Sequence, residues 1–82
     1  MKITVRYFAS IREALGPLES LDTQAATMGA LRDELIARGG VHAQVLARGK
    51  AVRLALDQVM ADESAALREG AEVAFFPPVT GG

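Results

Sequence analysis

The sequence predicts a small α+β fold, one mixed sheet with one main helix packed across it. Apolar–polar alternation over Lys2–Tyr7 near the start of the chain, and the apolar run Ala71–Phe76 after the Arg68-Glu69-Gly70 turn near its end, mark two strands. Between them, Met28, Leu31 and Leu35 fall at i, i+3 and i+7, the stripe of a helix with one buried face. With 82 residues there is room for one core and one domain, placed here at residues 1–76 with a tail at 77–82.

In the first strand Ile3, Val5 and Tyr7 share one face, and Lys2, Thr4 and Arg6 share the other with Phe8. Ser10-Ile11-Arg12-Glu13 then reads as a capping box opening a short helical turn, stopped by Gly16-Pro17. Leu18–Asp22 is a second strand. Thr27 is the expected N-cap of the main helix, which runs to about Arg38 with Arg32, Asp33 and Arg38 toward water and Gly39-Gly40 as its stop. Residues 41–50 carry no clear pattern beyond Val45 and Leu46 tucking under the domain. Val52, Leu54 and Leu56 define a third strand, residues 62–67 a loop with one helical turn, and Arg68-Glu69-Gly70 a tight turn into the last strand. The order is strand, strand, helix, strand, strand.

Composition narrows the function. Nine basic and ten acidic residues give a net charge of −1, which argues against nucleic acid as the main ligand. The sequence has no cysteine, hence no disulfide, no thiolate metal ligand and no cysteine nucleophile. No metal site, bound cofactor or membrane contact is expected, and a cytoplasmic location is the default. His42 is the single histidine, in a polar stretch, so no Ser/His/Asp arrangement is credible. Gly39-Gly40 follows a helix rather than preceding one, so it makes no phosphate loop.

The chemistry concentrates at the end of the chain. Proline lacks an N–H, so Pro77-Pro78 cannot extend a central strand, and its fixed φ angles favour an extended course. Pro77, Pro78, Val79, Thr80, Gly81 and Gly82 would reach roughly 20 Å when extended. Without side chains, Gly81 and Gly82 fit a passage that any Cβ would block. A glycine-rich end is otherwise a common frayed terminus. Here it follows the apolar run Ala74-Phe75-Phe76-Pro77-Pro78-Val79, which needs a covering partner.

Gly70-Ala71-Glu72-Val73-Ala74 followed by Phe75-Phe76-Pro77-Pro78-Val79-Thr80-Gly81-Gly82 resembles the C-terminus of the small subunits of molybdopterin synthase. Tyr7-Phe8-Ala9-Ser10-Ile11-Arg12-Glu13 resembles the end of that family's first strand and the turn after it. The resemblance implies a ubiquitin-like β-grasp fold with its first and last strands parallel and adjacent. It implies that an E1-like adenylating enzyme uses ATP to activate the Gly82 carboxylate. A sulfur donor, a sulfurtransferase or cysteine desulfurase, would then convert the adenylate to a C-terminal thiocarboxylate. The large synthase subunit would receive the tail and pass the sulfur to a cyclic pyranopterin precursor, in a heterotetramer. The chain itself would be a sulfur-carrying subunit without catalytic side chains.

Strand parity adds a docking surface. With Ile3, Val5 and Tyr7 inward, Phe8 faces out; with Val73 and Phe75 inward, Phe76 faces out beside Glu72. With the two strands adjacent, Phe8 and Phe76 meet where the tail leaves, as a partner interface. Met60 joins them because that family carries an apolar contact residue there. Arg6, Arg12, Lys50 and Arg53 are candidate rim charges. The alternative places Phe8 under the 10–17 turn and Phe76 in the core. Two further functions share the tail: a ubiquitin-like modifier joined to target lysines through Gly82, and a sulfur carrier for thiamine or cysteine.

Overall fold

The computed structural model describes residues 1–78. Among them a mixed five-stranded sheet carries three helices: β1 (Lys2–Tyr7), α1 (Ala9–Leu15), β2 (Leu18–Asp22), α2 (Met28–Ile36), α3 (Gly40–Leu46), β3 (Arg53–Leu56), β4 (Val59–Ala61) and β5 (Glu72–Phe76). The strand order is β2-β1-β5-β3-β4. β1 and β5 run parallel at the centre, in the register Thr4↔Glu72 to Tyr7↔Phe75. The neighbouring pairs β1–β2, β3–β5 and β3–β4 are antiparallel. This is the expected α+β β-grasp arrangement, with α2 as the main helix.

The core follows the sequence periodicities. Ile3, Val5, Tyr7, Leu54, Val73 and Phe75 project from one sheet face, and Met28, Leu31 and Leu35 of α2 meet them there. Ile11 of α1 and Leu46 of α3 belong to the same buried cluster. A buried side chain of this size contributes about 1.5–3 kcal/mol. The turn into β5 is pinned by Gly70, at φ 79°, whose N–H donates to the Lys2 carbonyl at 2.7 Å. The Glu69 carboxylate accepts from the Lys2 N–H at 3.1 Å, so the start of β5 is tied to β1.

Four expectations need correction. The Ser10 capping box does not form: Phe8 is the N-cap without a side-chain bond, Ala9 opens α1 and Ser10 lies inside it. The Phe8 N–H donates to the Phe75 carbonyl at 3.2 Å, so the chain stays in the sheet through Phe8 and must turn immediately afterwards. Residues 40–46 form helix α3, so Gly39-Gly40, both at positive φ, follow the last turn of α2 as expected but lead at once into another helix rather than into a loop. β4 is an additional strand, joined to β3 by Asp57 and Gln58 at φ 50° and 70°. Arg32 is 3% exposed rather than solvated, because it caps backbone carbonyls of the segment after α3. Thr27 is the N-cap of α2 as expected, accepting from the Ala30 N–H at 3.1 Å. Gly29, unfavourable in a helix by propensity, has a packing reason: a Cβ there would lie 3.0 Å from the Glu63 carboxylate.

Candidate functional site

The site sits where β5 delivers the chain to one end of the sheet. β5 lies between β1 and β3, so its last residue, Phe76, is flanked on both sides. Phe76 is opposite Arg53, and Phe8 continues β1 alongside it. Because the pleat turns Tyr7 and Phe75 into the core, Phe8 and Phe76 turn out together. Their rings stack at 4.6 Å between centroids and 10° between planes, near the close end of the favourable range for aromatic pairs. Both remain half-buried rather than covered. The Arg6 guanidinium lies 5.8 Å from the Phe8 ring centroid and 3.9 Å from the Glu72 carboxylate.

The register extends this surface across the outer face. Leu18, Arg6, Ala74, Ala55 and Met60 form one continuous row through all the strands. Leu18 and Met60 at its ends are 52% and 56% exposed, while Ala55 and Ala74 form a small-residue floor between them. Met60 therefore shares a face with Phe8 and Phe76 but is separated from them by the alanine row. Arg53 and Arg6 border the aromatic pair. Ala55, Ala74 and Leu18 were missed in the sequence reading; the alternation of β3 and β5 held the signal for the alanines, which their small size concealed.

Beyond Phe76 the ladder stops. Pro77 is half-buried and Pro78 exposed. Both line a cavity of about 400 Å³ with Ser10 and Ile11 of α1, Val45 of α3 and Lys50, Ala51 and Val52. Val79, Thr80, Gly81 and Gly82, the expected threading segment, lie outside the described residues. Arg12 belongs to α1 and His42 to α3; His42 contacts the Arg38 guanidinium on the surface at 3.3 Å.

Charged groups near the β3–β4 end form a second cluster. Arg48 pairs with Asp33 at 2.9 Å and with Glu63, and donates to the Gly29 carbonyl at 3.0 Å. The Arg48 bond, followed by weaker attraction from Arg48 and Arg32, holds the Glu63 carboxyl below its ordinary range. These groups tie surface segments together; no reacting atom is presented among them.

A mixed sheet with a parallel central pair, a main helix across one face and an aromatic pair on the other define a ubiquitin-like β-grasp protein. The chain belongs to the ThiS family, whose model matches residues 5–82. It is 38% identical to the molybdopterin synthase sulfur carrier subunit of Haemophilus influenzae over 81 residues, covering 98% of this chain and 99% of that one. Among solved structures, SAMP1 from Haloferax volcanii superposes with a TM-score of 0.78 at 25% identity, covering all of both chains. Subunit 1 in the Helicobacter pylori complex of molybdopterin-converting factor subunits 1 and 2 shares the fold, with a TM-score of 0.70 at 23% identity over all of both chains.

Proposed function

We propose that this chain is the sulfur carrier subunit of a molybdopterin synthase, acting through Gly82. The observation that carries the reading is the placement of Phe76: the central strand ends on the outer face, stacked on Phe8, and enters Pro77-Pro78 at once. A partner that covers the aromatic pair is thereby positioned to receive the residues that follow. The similarity to the Haemophilus influenzae carrier along the chain supports the assignment to this synthase. The Helicobacter pylori complex supports the large synthase subunit as the partner.

The chemistry acts on the chain rather than being performed by it. In the E1-like enzyme, a Gly82 carboxylate oxygen attacks the α-phosphorus of ATP, and pyrophosphate leaves. The resulting acyl-adenylate carries AMP as a good leaving group; the terminal sulfur of a donor persulfide displaces it at the carbonyl carbon, and a thiol reductant cleaves the resulting acyl disulfide. The net change is one oxygen replaced by sulfur, giving a thiocarboxylate. In the large subunit that sulfur passes to the pyranopterin precursor, and water at the carbonyl carbon restores the Gly82 carboxylate. Two transfers build each dithiolene, consistent with a heterotetramer. ATP and sulfur are consumed by the loading system, and this chain holds no cofactor of its own. No helix of the described residues is long and apolar enough to cross a membrane, and the dependence of loading on ATP supports a cytoplasmic carrier.

Intact-mass analysis after incubation with ATP, the activating enzyme and a sulfur source tests the reading. An oxygen-to-sulfur exchange at Gly82 is expected, and a chain lacking Gly82 stays unloaded while keeping its fold. No exchange with a competent activating enzyme overturns it. The likeness to SAMP1, a small archaeal modifier protein, favours protein conjugation as a second reading. Gly-Gly remnants on lysines of other proteins are its signature.

A further inference from the structure

We infer that Arg32 is a positioning residue for the tail: it fixes the wall of the cavity against which Pro77-Pro78 leave the sheet. The inference rests on the carrier reading above and adds a residue to it. The wall is the stretch Lys50-Ala51-Val52, facing Ser10, Ile11 and the two prolines across about 400 Å³. Between α3 and β3 this stretch belongs to no strand, so no ladder sets its position.

Arg32 supplies what the ladder does not. Its Nε donates to the Leu46 carbonyl at 2.8 Å, and Nη2 donates to Ala47 and Lys50 at 2.6 and 3.0 Å. Nη1 donates to the Glu63 carboxylate at 3.0 Å. One planar fork thus gathers three carbonyls at the end of α3 and the start of the wall, a geometry that a lysine ammonium cannot reproduce. The Lys50 carbonyl also accepts from the Val52 N–H at 2.9 Å, so the grip on Lys50 extends along the wall. Arg32 is buried and its bonds are charge-assisted, which makes the arrangement strong and single-valued.

The position of this wall matters more to the tail than to the core. The core cluster includes Leu46, but Ala51 and Lys50 are exposed and Val52 is only packed against its margin. Loosening the wall therefore leaves the sheet and α2 in place and frees the path of Pro77-Pro78.

The test compares wild type, Arg32→Lys and the Lys50→Gly/Ala51→Gly pair, with Leu21→Ala on edge strand β2 as a destabilised control remote from the cavity. Affinity for the large synthase subunit is measured by calorimetry at a temperature where melting curves show every chain folded. Arg32→Lys and the glycine pair are expected to bind roughly ten- to a hundredfold more weakly, the scale on which small misplacements are felt. Leu21→Ala is expected to bind as wild type does. Unchanged affinity in the glycine pair, or equal losses in Arg32→Lys and Leu21→Ala, overturns the assignment; the pair also decides the matter if Arg32→Lys does not fold. Wild-type binding together with unchanged Arg32→Lys affinity overturns only the role of Arg32. Absence of wild-type binding overturns the carrier reading itself.

Discussion

Tyr7 shows what one buried polar atom does to a small domain. Its ring is 1% exposed and lies near Phe75 in the core, and its hydroxyl has no hydrogen-bond partner among the described residues. Burial, then the nearby Glu19 carboxylate, pushes its pKa up to about 12, with Arg38 opposing. The unfolded chain ionises near its ordinary 10, so the unfolded state loses the proton first as pH rises. The Tyr7 contribution is complete below about pH 10 and is lost as pH climbs toward 12. Tyr7→Phe is expected to remove that alkaline slope. At neutral pH it should match wild type or exceed it by up to about 1 kcal/mol, since an unpaired buried hydroxyl is deleted. Urea midpoints at neutral and alkaline pH provide the check, and a clear loss at neutral pH counts against it. The inward position of Tyr7 was legible from alternation. The unpaired hydroxyl was not, because a hydrogen bond depends on neighbours from other elements. Arg32 taught the same lesson in reverse: its helical position suggested water, and carbonyls distant in sequence drew it inside.

Elements were legible where their signal was local and regular. β1, β5 and the Thr27 cap of α2 each satisfy a short-range rule, and each formed. The β3–β4 hairpin did not advertise itself. A two-residue turn with both φ positive favours Asn-Gly or Asp-Gly, and this one is Asp57-Gln58. Asp57 repays its conformation through its carboxylate, which accepts from the Glu72 N–H at 2.9 Å. Gln58, at φ 70°, makes no such bond among the described residues. Gln58→Gly is therefore expected to stabilise the domain by about 0.5–1 kcal/mol. That corresponds to a rise in melting temperature of several degrees for a chain of this size. A melting curve that does not move would mean the turn carries no strain. α3 escaped for a related reason: two glycines normally end helices, and the same backbone freedom lets Gly39-Gly40 swing the chain directly into another.

At the scale of the whole molecule, the sheet order creates a surface that no single element contains. Phe8 and Phe76 are 68 positions apart in the sequence and stack only because β1 and β5 are parallel neighbours in one register. Phe76→Arg forfeits that stack, worth about 0.5–1.5 kcal/mol of stability. It also places a charge at the centre of the proposed interface, where affinity for the large subunit is expected to fall by more than about tenfold, or 1.4 kcal/mol. Thermal denaturation beside calorimetric binding gives the two losses. A larger loss of stability than of affinity would assign the ring to the core. Phe75→Ala should show that opposite ranking, since Phe75 is fully buried and such truncations cost about 3–5 kcal/mol.

By itself the sequence determined the α+β class, the inward and outward faces of β1 and β5, the main helix and the diproline leading to Gly81-Gly82. Each is written in side-chain periodicity or in backbone chemistry confined to a few neighbours. The tertiary structure alone decided which groups meet across the fold: the Phe8–Phe76 stack, the Leu18–Arg6–Ala74–Ala55–Met60 row and the carbonyls gathered by Arg32. Those contacts depend on strand order, register and loop path, which are set by burial of the whole core rather than by any local run of residues.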